Sequence, residues 1–195
     1  MISFLNKISI IKWKIITFFF LKKSFCFCGK GLFIKKPLYI GMPKYISIGD
    51  NCKFRDGLRL EVVDPQEDIV IRIGNNVNIE QNVHIVARGG ITIGNNVSIT
   101  AGCSIVDIIH PLQPPGSTLS YASVIEKERS DVTIGDGTMI GINSHISPGV
   151  KIGAGCVVGA HSVVMKDIPD YSICVGCPAK VIKKFDFKRN CWIRV

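Results

Sequence analysis

The sequence predicts an all-β chain wound as a parallel β-helix, with a short N-terminal helical cap and one long loop ejected from the coil, on three observations. First, a six-residue rhythm runs through most of it: Ile73, Ile79 and Ile85, then Ile93, Ile99 and Ile105, then Ile134, Ile140, Ile146, Ile152, Val158 and Val164 each open a hexad. Second, the hexads are rich in Val, Ile and Thr, and a period of six cannot hold one face of a helix, so they read as very short strands. Ile48-Gly-Asp-Asn, Ile73-Gly-Asn-Asn, Ile93-Gly-Asn-Asn, Ile134-Gly-Asp-Gly and Ile152-Gly-Ala-Gly set residues tolerant of unusual φ where the chain must turn. Third, three hexads close a coil of 18 residues, which stacks Ile134 on Ile152, Ile140 on Val158 and Ile146 on Val164. Each coil then buries its aliphatic side against its neighbours.

The first element is a basic, apolar segment, residues 1–40. Residues 1–36 hold eight lysines and no acid, while the rest of the chain is nearly balanced. Its apolar run, Ile15 to Leu21, is broken by Thr17 and is far shorter than the ~20 residues a membrane span needs. Lysines surround that run and no small-residue cleavage site follows, so a secretory signal is not expected. Two readings remain: a helix covering the bare edge of the first coil, and, in addition, peripheral contact with the anionic inner face of the cytoplasmic membrane. The lysines are not interleaved with a nucleic-acid-binding motif, so a nucleic-acid partner is not expected.

Residues 41–184 form the hexapeptide-repeat β-helix, and its breaks are where function is to be sought. Ile85 and Ile93 are separated by two residues more than a hexad, which fits a corner insert at Gly89 and Gly90. After Ile105 the rhythm stops until Thr133 and Ile134. The intervening loop, 107–132, holds three prolines and many polar residues, and loops of this length in a compact domain are usually functional. Residues 185–195 form a C-terminal tail.

The eight cysteines do not form a disulfide framework. Cys52, Cys103 and Cys156 all occupy the fifth position of their hexads and read as small core residues. Cys174 and Cys177 have redox or zinc spacing, but no second Cys pair or His pair completes a site. No metal is expected, and the composition reads as a cytoplasmic domain.

From Ile71 to Lys184 the chain resembles the hexapeptide-repeat acyltransferases, in particular the maltose and galactoside O-acetyltransferase branch that includes bacterial O-antigen (lipopolysaccharide) and capsule O-acetyltransferases. The residues that carry this are Ile93-Gly-Asn-Asn-Val, Asp107-Ile-Ile-His110-Pro111, Ile134-Gly-Asp-Gly-Thr-Met-Ile-Gly141, Ser147-Pro-Gly-Val-Lys-Ile-Gly153, Val163-Val-Met-Lys-Asp-Ile-Pro169 and Gly176-Cys-Pro-Ala-Lys180. The tail from Lys183 to Val195 also looks like the aromatic, basic ending of some O-antigen acetyltransferases. The resemblance implies a left-handed coil and a homotrimer. The left hand rests wholly on it, since parallel crossovers otherwise favour the right hand.

It also implies acetyl-CoA as co-substrate and a sugar or polysaccharide acceptor. Acetyl transfer to a sugar hydroxyl requires removal of the hydroxyl proton during attack, which a positioned imidazole does well. His110 matches the family's catalytic histidine. Asp107 could orient that ring, hold acceptor hydroxyls, or cap the turn. Glu128 is where some relatives carry an acid that fixes the imidazole tautomer, with Glu126 as a substitute if the loop alignment slips.

Asn82 matches an acceptor-contacting asparagine that in a trimer would face a neighbour's His110; its plainer reading is a corner residue. His84 is shared with some polysaccharide acetyltransferases, in a structural or acceptor-shaping role. Backbone N–H groups near Gly141 and Ile142 are the expected oxyanion donors. For the donor, the resemblance implies a groove between subunits, with Lys166 near the phosphates, Lys180, Lys183 and Lys184 adding positive charge, and Pro178 and Ala179 flanking the adenine end.

One departure stands out. Met139 occupies a segment where relatives usually carry Trp, so a flat aromatic wall is missing, which bears on acceptor choice more than on reaction class. The competing readings are an N-acetyltransferase for an amino-sugar nucleotide, a non-catalytic β-helix scaffold, and a γ-carbonic-anhydrase-type metalloenzyme. The last is disfavoured because His84, His110, His145 and His161 do not stack at multiples of 18.

Overall fold

The computed structural model describes residues 2–195, and they form a three-sided prism of stacked coils. The first sheet runs in the order Phe27–Cys28, Ile46–Ile48, Ile71–Ile73, Ile91–Ile93, Val132–Ile134 and Lys151–Ile152. The second begins with Phe33–Ile34 and passes through Val157–Val158 to Ser172–Gly176. The third runs from Tyr39–Gly41 through Arg59–Val62, His84–Ala87, Ser104–Val106 and His145–Ile146 to Val163–Val164. All pairings between coils are parallel, as successive turns of one winding require.

The register is the one the hexads predict. Ile134 pairs with Ile152, Ile140 with Val158 and Ile146 with Val164, and the ladders continue upward through Ile93 and Ile73, Ile99 and Ile79, and Ile105 and Ile85. These side chains are buried in one continuous core. Each fully buried Ile is worth about 1.5–3 kcal/mol against exposure, so the stack is held mainly by its aliphatic interior.

The corners explain the Gly-Asn and Gly-Asp pairs. Asn75 Oδ1 accepts the Asp50 N–H at 2.7 Å, Asn95 Oδ1 accepts the Asn75 N–H at 2.9 Å, and Asp136 Oδ1 accepts the Asn95 N–H at 2.7 Å. A ladder of side-chain oxygens thus satisfies corner amides that no strand reaches. Coils approach so closely there that a Cβ on Gly94 would sit 2.8 Å from the Asp136 amide nitrogen, which excludes any larger residue without a shift.

Cys52, Cys103 and Cys156 are buried at corners, their thiols directed at the carbonyls of Gly74, Gly141 and Pro169. Burial raises the pKa of all three, so they stay protonated and inert. Cys174 lies in the core and Cys177 at the surface, so that pair does not converge.

The N-terminal helix, Ile2–Ile16, continues through a π-turn, Thr17–Leu21, and a last turn, Lys22–Ser24. Thr17 is the anchor: its hydroxyl donates to the Ile34 carbonyl at 3.0 Å and accepts the Ile34 N–H at 3.2 Å, closing the bare edge of the first coil. The coil itself starts at Phe27, ahead of the boundary at residue 40 expected from the sequence. Its first turn keeps the six-residue spacing at Cys28, Ile34 and Ile40 but sets Cys28-Gly29 where later coils open with Ile-Gly. At the other end the tail is a strand, Cys191–Arg194, antiparallel to Ala179–Asp186, with Phe185, Phe187, Trp192 and Tyr171 in edge-to-face contact.

Candidate active site

The coil opens at the end of Ser104–Val106 and closes again at Val132–Ile134. What ties the loop entrance to the Gly89-Gly90 insert is Asp107. Its buried carboxylate accepts the amides of Arg88 at 2.7 Å, Gly89 at 2.9 Å and Gly90 at 2.7 Å. Burial pushes its pKa up, and the three amides pull against that by favouring the charged form. The Gly89-Gly90 insert and the loop entrance are therefore one device. Of the three roles expected for Asp107, these contacts are those of the cap, with both oxygens bonded to backbone.

The far end of the loop is fastened by arginines. The Arg88 guanidinium donates to the Glu126 carbonyl at 3.2 Å and pairs with Asp64 at 3.0 Å, while Arg129 pairs with Glu67 and with Asp131 at 2.5 Å. The Glu126 amide donates to the Ile109 carbonyl at 2.8 Å, tying the two arms of the loop next to His110.

His110 stands exposed on the entering arm, and its Nδ1 lies 2.8 Å from the Val124 carbonyl on the returning arm. A carbonyl can only accept, so Nδ1 carries the proton and Nε2 presents its lone pair outward. This is the tautomer a general base needs. The orienting group expected from the sequence was Glu128. Here a backbone carbonyl fills that place, and Glu128 is exposed with no hydrogen bond or ion pair among the described residues. Glu126 contributes its backbone to the loop closure, and its own carboxylate accepts the Lys127 amide.

Beside the loop entrance, the outward face of the third sheet carries a polar row that sequence reasoning only partly found. Arg59, His84, Ser104 and His145 are register neighbours on successive coils. Ser104 Oγ and His145 Nδ1 are 2.6 Å apart, and Arg59 pairs with Glu61. Burial lowers the pKa of both histidines, with Arg59 adding to the effect at His84, so both are neutral near pH 7. Ser104, His145 and Arg88 carry no distinguishing motif; only the stacking brings them together.

Asn82 sits at a corner with φ of 57°, donates its amide to the Asp56 carbonyl at 2.9 Å, and leans over Gly57. Its position is that of the plainer reading. Gly141 and Ile142 lie at the same kind of corner two coils on. The Gly141 N–H is already bonded to the Val158 carbonyl at 2.8 Å, so Gly141 is corrected as an oxyanion donor, whereas the Ile142 N–H has no acceptor among the described residues. Met139 faces outward between Ser98 and Val157.

A separate cavity of about 340 Å³ is lined by Met165, Lys166, Pro178, Ala179 and Lys180. It joins four of the residues expected at the donor, from segments twelve or more positions apart, because Ser172–Gly176 and Ala179–Asp186 fold back on the last coil. Lys183 lies farther along that strand, opposite Ile173 and Arg194, and does not line the cavity.

Comparison with known proteins agrees with this architecture. Residues 131–166 match the family described as bacterial transferase hexapeptide (six repeats). The chain is 34% identical over 166 residues to a putative lipopolysaccharide biosynthesis O-acetyl transferase, WbbJ, of Escherichia coli K12, covering 82% of each. It is 30% identical to the galactoside O-acetyltransferase of the same organism, covering 85% of this chain and 67% of that one. Among solved structures, AntD, an N-acyltransferase from Bacillus cereus in complex with dTDP and 3-hydroxybutyryl-CoA, superposes with a TM-score of 0.70 at 27% identity, covering 87% of this chain and 88% of that one.

Proposed function

The chain belongs to the hexapeptide-repeat acyltransferases, whose coil is a left-handed parallel β-helix, and we propose that it transfers acetyl from acetyl-CoA to a sugar hydroxyl of a bacterial surface polysaccharide, O-antigen or capsule, or its precursor. The observation that carries this reading is His110 held at Nδ1 by the Val124 carbonyl, with no partner for Nε2 among the described residues. Nε2 takes the proton of the acceptor hydroxyl as the oxygen attacks the thioester carbonyl. The imidazolium then returns that proton to the departing thiolate, so protons balance over one turnover. General-base assistance of this kind is worth about 10²–10⁴ in rate.

The Ile142 amide is the available donor toward the tetrahedral oxyanion. Lys166 and Lys180, around their shared cavity, meet the phosphates of the donor, with Pro178 against its adenine end. In this reading the enzyme is a cytoplasmic homotrimer in which Asn82 of one subunit faces the loop of the next, and His84 shapes the acceptor side.

The test is thiol release from acetyl-CoA in the presence of base-deacetylated surface polysaccharide, wild type against His110→Ala. Acceptor-dependent release that the variant loses is the expected result. A variant that keeps most of the activity would overturn the role of His110.

A second reading, N-acetylation of an amino-sugar nucleotide, is favoured by the likeness to AntD. The product separates the two: an ester is cleaved by mild base and an amide is not.

A further inference from the structure

The N-terminal helix has two apolar faces, and the fold uses one of them. Ile10, Trp13, Thr17 and Leu21 turn toward the first coil and are partly or wholly buried. On the outer side, Leu5, Ile8, Ile11, Ile15 and Phe18 follow one another at helical spacing and form a continuous stripe whose members are 47–64% exposed. Lys7, Lys12 and Lys14 flank it. At its C-terminal end the stripe runs into a groove of about 750 Å³ between helix and first coil, floored by Ile15, Phe18 and Phe19 and rimmed by Lys14, Lys22, Lys30 and Lys53. Among the described residues none of these four lysines has an acidic partner within ion-pair distance.

An exposed apolar stripe of this size calls for a covering surface. Charge decides which. With eight lysines and no acid in residues 1–36, a second copy presenting the same face would bring like charge against like. A small free anion would leave the apolar stripe in water. A surface that is negative at its boundary and apolar just beneath it satisfies both features.

We propose that the outer face of the N-terminal helix docks the protein on an anionic phospholipid bilayer, with one lipid phosphate among the groove lysines and its chain over Ile15, Phe18 and Phe19. The stripe lies in the plane of the bilayer. This goes beyond the acyl-transfer reading and does not depend on it.

Vesicle flotation of the full chain tests it, comparing phosphatidylcholine vesicles with vesicles that also contain phosphatidylglycerol. The protein is expected to float only with the anionic vesicles and to be released by salt. The pair Lys14→Glu and Lys22→Glu, both on the surface, should lower partitioning by more than the about five-fold per lysine expected from loss of charge alone. Ile11→Glu with Phe18→Glu should abolish flotation while circular dichroism and thiol release with a soluble acceptor stay unchanged. Equal flotation on neutral vesicles, or variants that bind like the wild type, would overturn the proposal. So would a wild type that ignores both vesicles while the Ile11→Glu, Phe18→Glu protein changes oligomeric size, which would assign the stripe to a second copy.

Discussion

The coils from Val132 to Val164 and the loop from Asp107 to Asp131 are built by opposite rules. In the coils the hexads send their opening Ile or Val inward, and strand amides such as those of Thr133, Met139 and His145 find carbonyls of the next turn. In the loop the only fully buried side chain before Val132 is that of Asp107, and its shape is kept by a few directed contacts: Arg88 to Glu126, Glu126 to Ile109, and His110 to Val124. Repetition gives stability that is spread over many equivalent sites. The interruption concentrates specific geometry in a few atoms, and the proposed chemistry sits there.

If that division is right, the two regions should fail differently. His110→Ala is expected to lower acetyl transfer by about 10²–10⁴ while the thermal midpoint barely moves, since the side chain is exposed and touches no core. Steady-state kinetics with a melting curve checks both halves. A large loss of stability would show that the loop belongs to the folding unit after all.

Ile99→Ala, in the middle of a ladder between Ile79 and Ile140, is the converse experiment. It should cost about 2–5 kcal/mol by urea unfolding, because adjacent coils cannot close over the cavity without breaking register. Activity per folded molecule should be nearly unchanged.

The core also has a pH signature at alkaline pH. Burial pushes the Cys174 thiol up to about 11, from 9.0, with the neighbouring Cys156 adding to the effect. The folded chain keeps that proton where the unfolded chain releases it, so the contribution is present in full below pH 9.0 and is lost as pH rises through about 11. Two units correspond to about 2–3 kcal/mol. Unfolding curves across this window should flatten in Cys174→Ala once its own cavity cost is subtracted.

The smallest expected effect is the most discriminating. Arg88 holds both ends of the loop without touching the reacting atoms, through its amide to Asp107 and its guanidinium to Glu126. Arg88→Ala should lower kcat about ten-fold through misplacement of His110, leave the KM for acetyl-CoA unchanged, and be partly rescued by Arg88→Lys. A change confined to KM would show that Arg88 serves the donor rather than the loop.

Much of the fold could be read from the hexads because a core of stacked identical turns requires the same residue type at every turn. Ile134, Ile140 and Ile146 announce their partners 18 residues away. The first coil escaped this reading because Cys28-Gly29 stands where Ile48-Gly49 and Ile73-Gly74 mark the later coils, although Phe27–Cys28, Phe33–Ile34 and Tyr39–Gly41 keep the pairing. The site was legible only in part. His110 was visible through its neighbours in sequence, whereas the group that fixes its tautomer is a backbone carbonyl, which no residue type encodes. The row of His84, Ser104 and His145 was invisible for a related reason: 20 residues separate the first two and 41 the last two, because the loop intervenes.

The sequence by itself determined the winding, the inward ladders, the place where the coil opens and the basic, apolar character of the N-terminus, since these follow from which residues repeat and which do not. Tertiary structure alone decided that Asp107 is a cap, that Val124 rather than Glu128 holds His110, that the Gly141 amide is already bonded, and that one side of the N-terminal helix stays bare. Those outcomes depend on where backbone donors and acceptors fall in space, and a backbone group has no letter in the sequence.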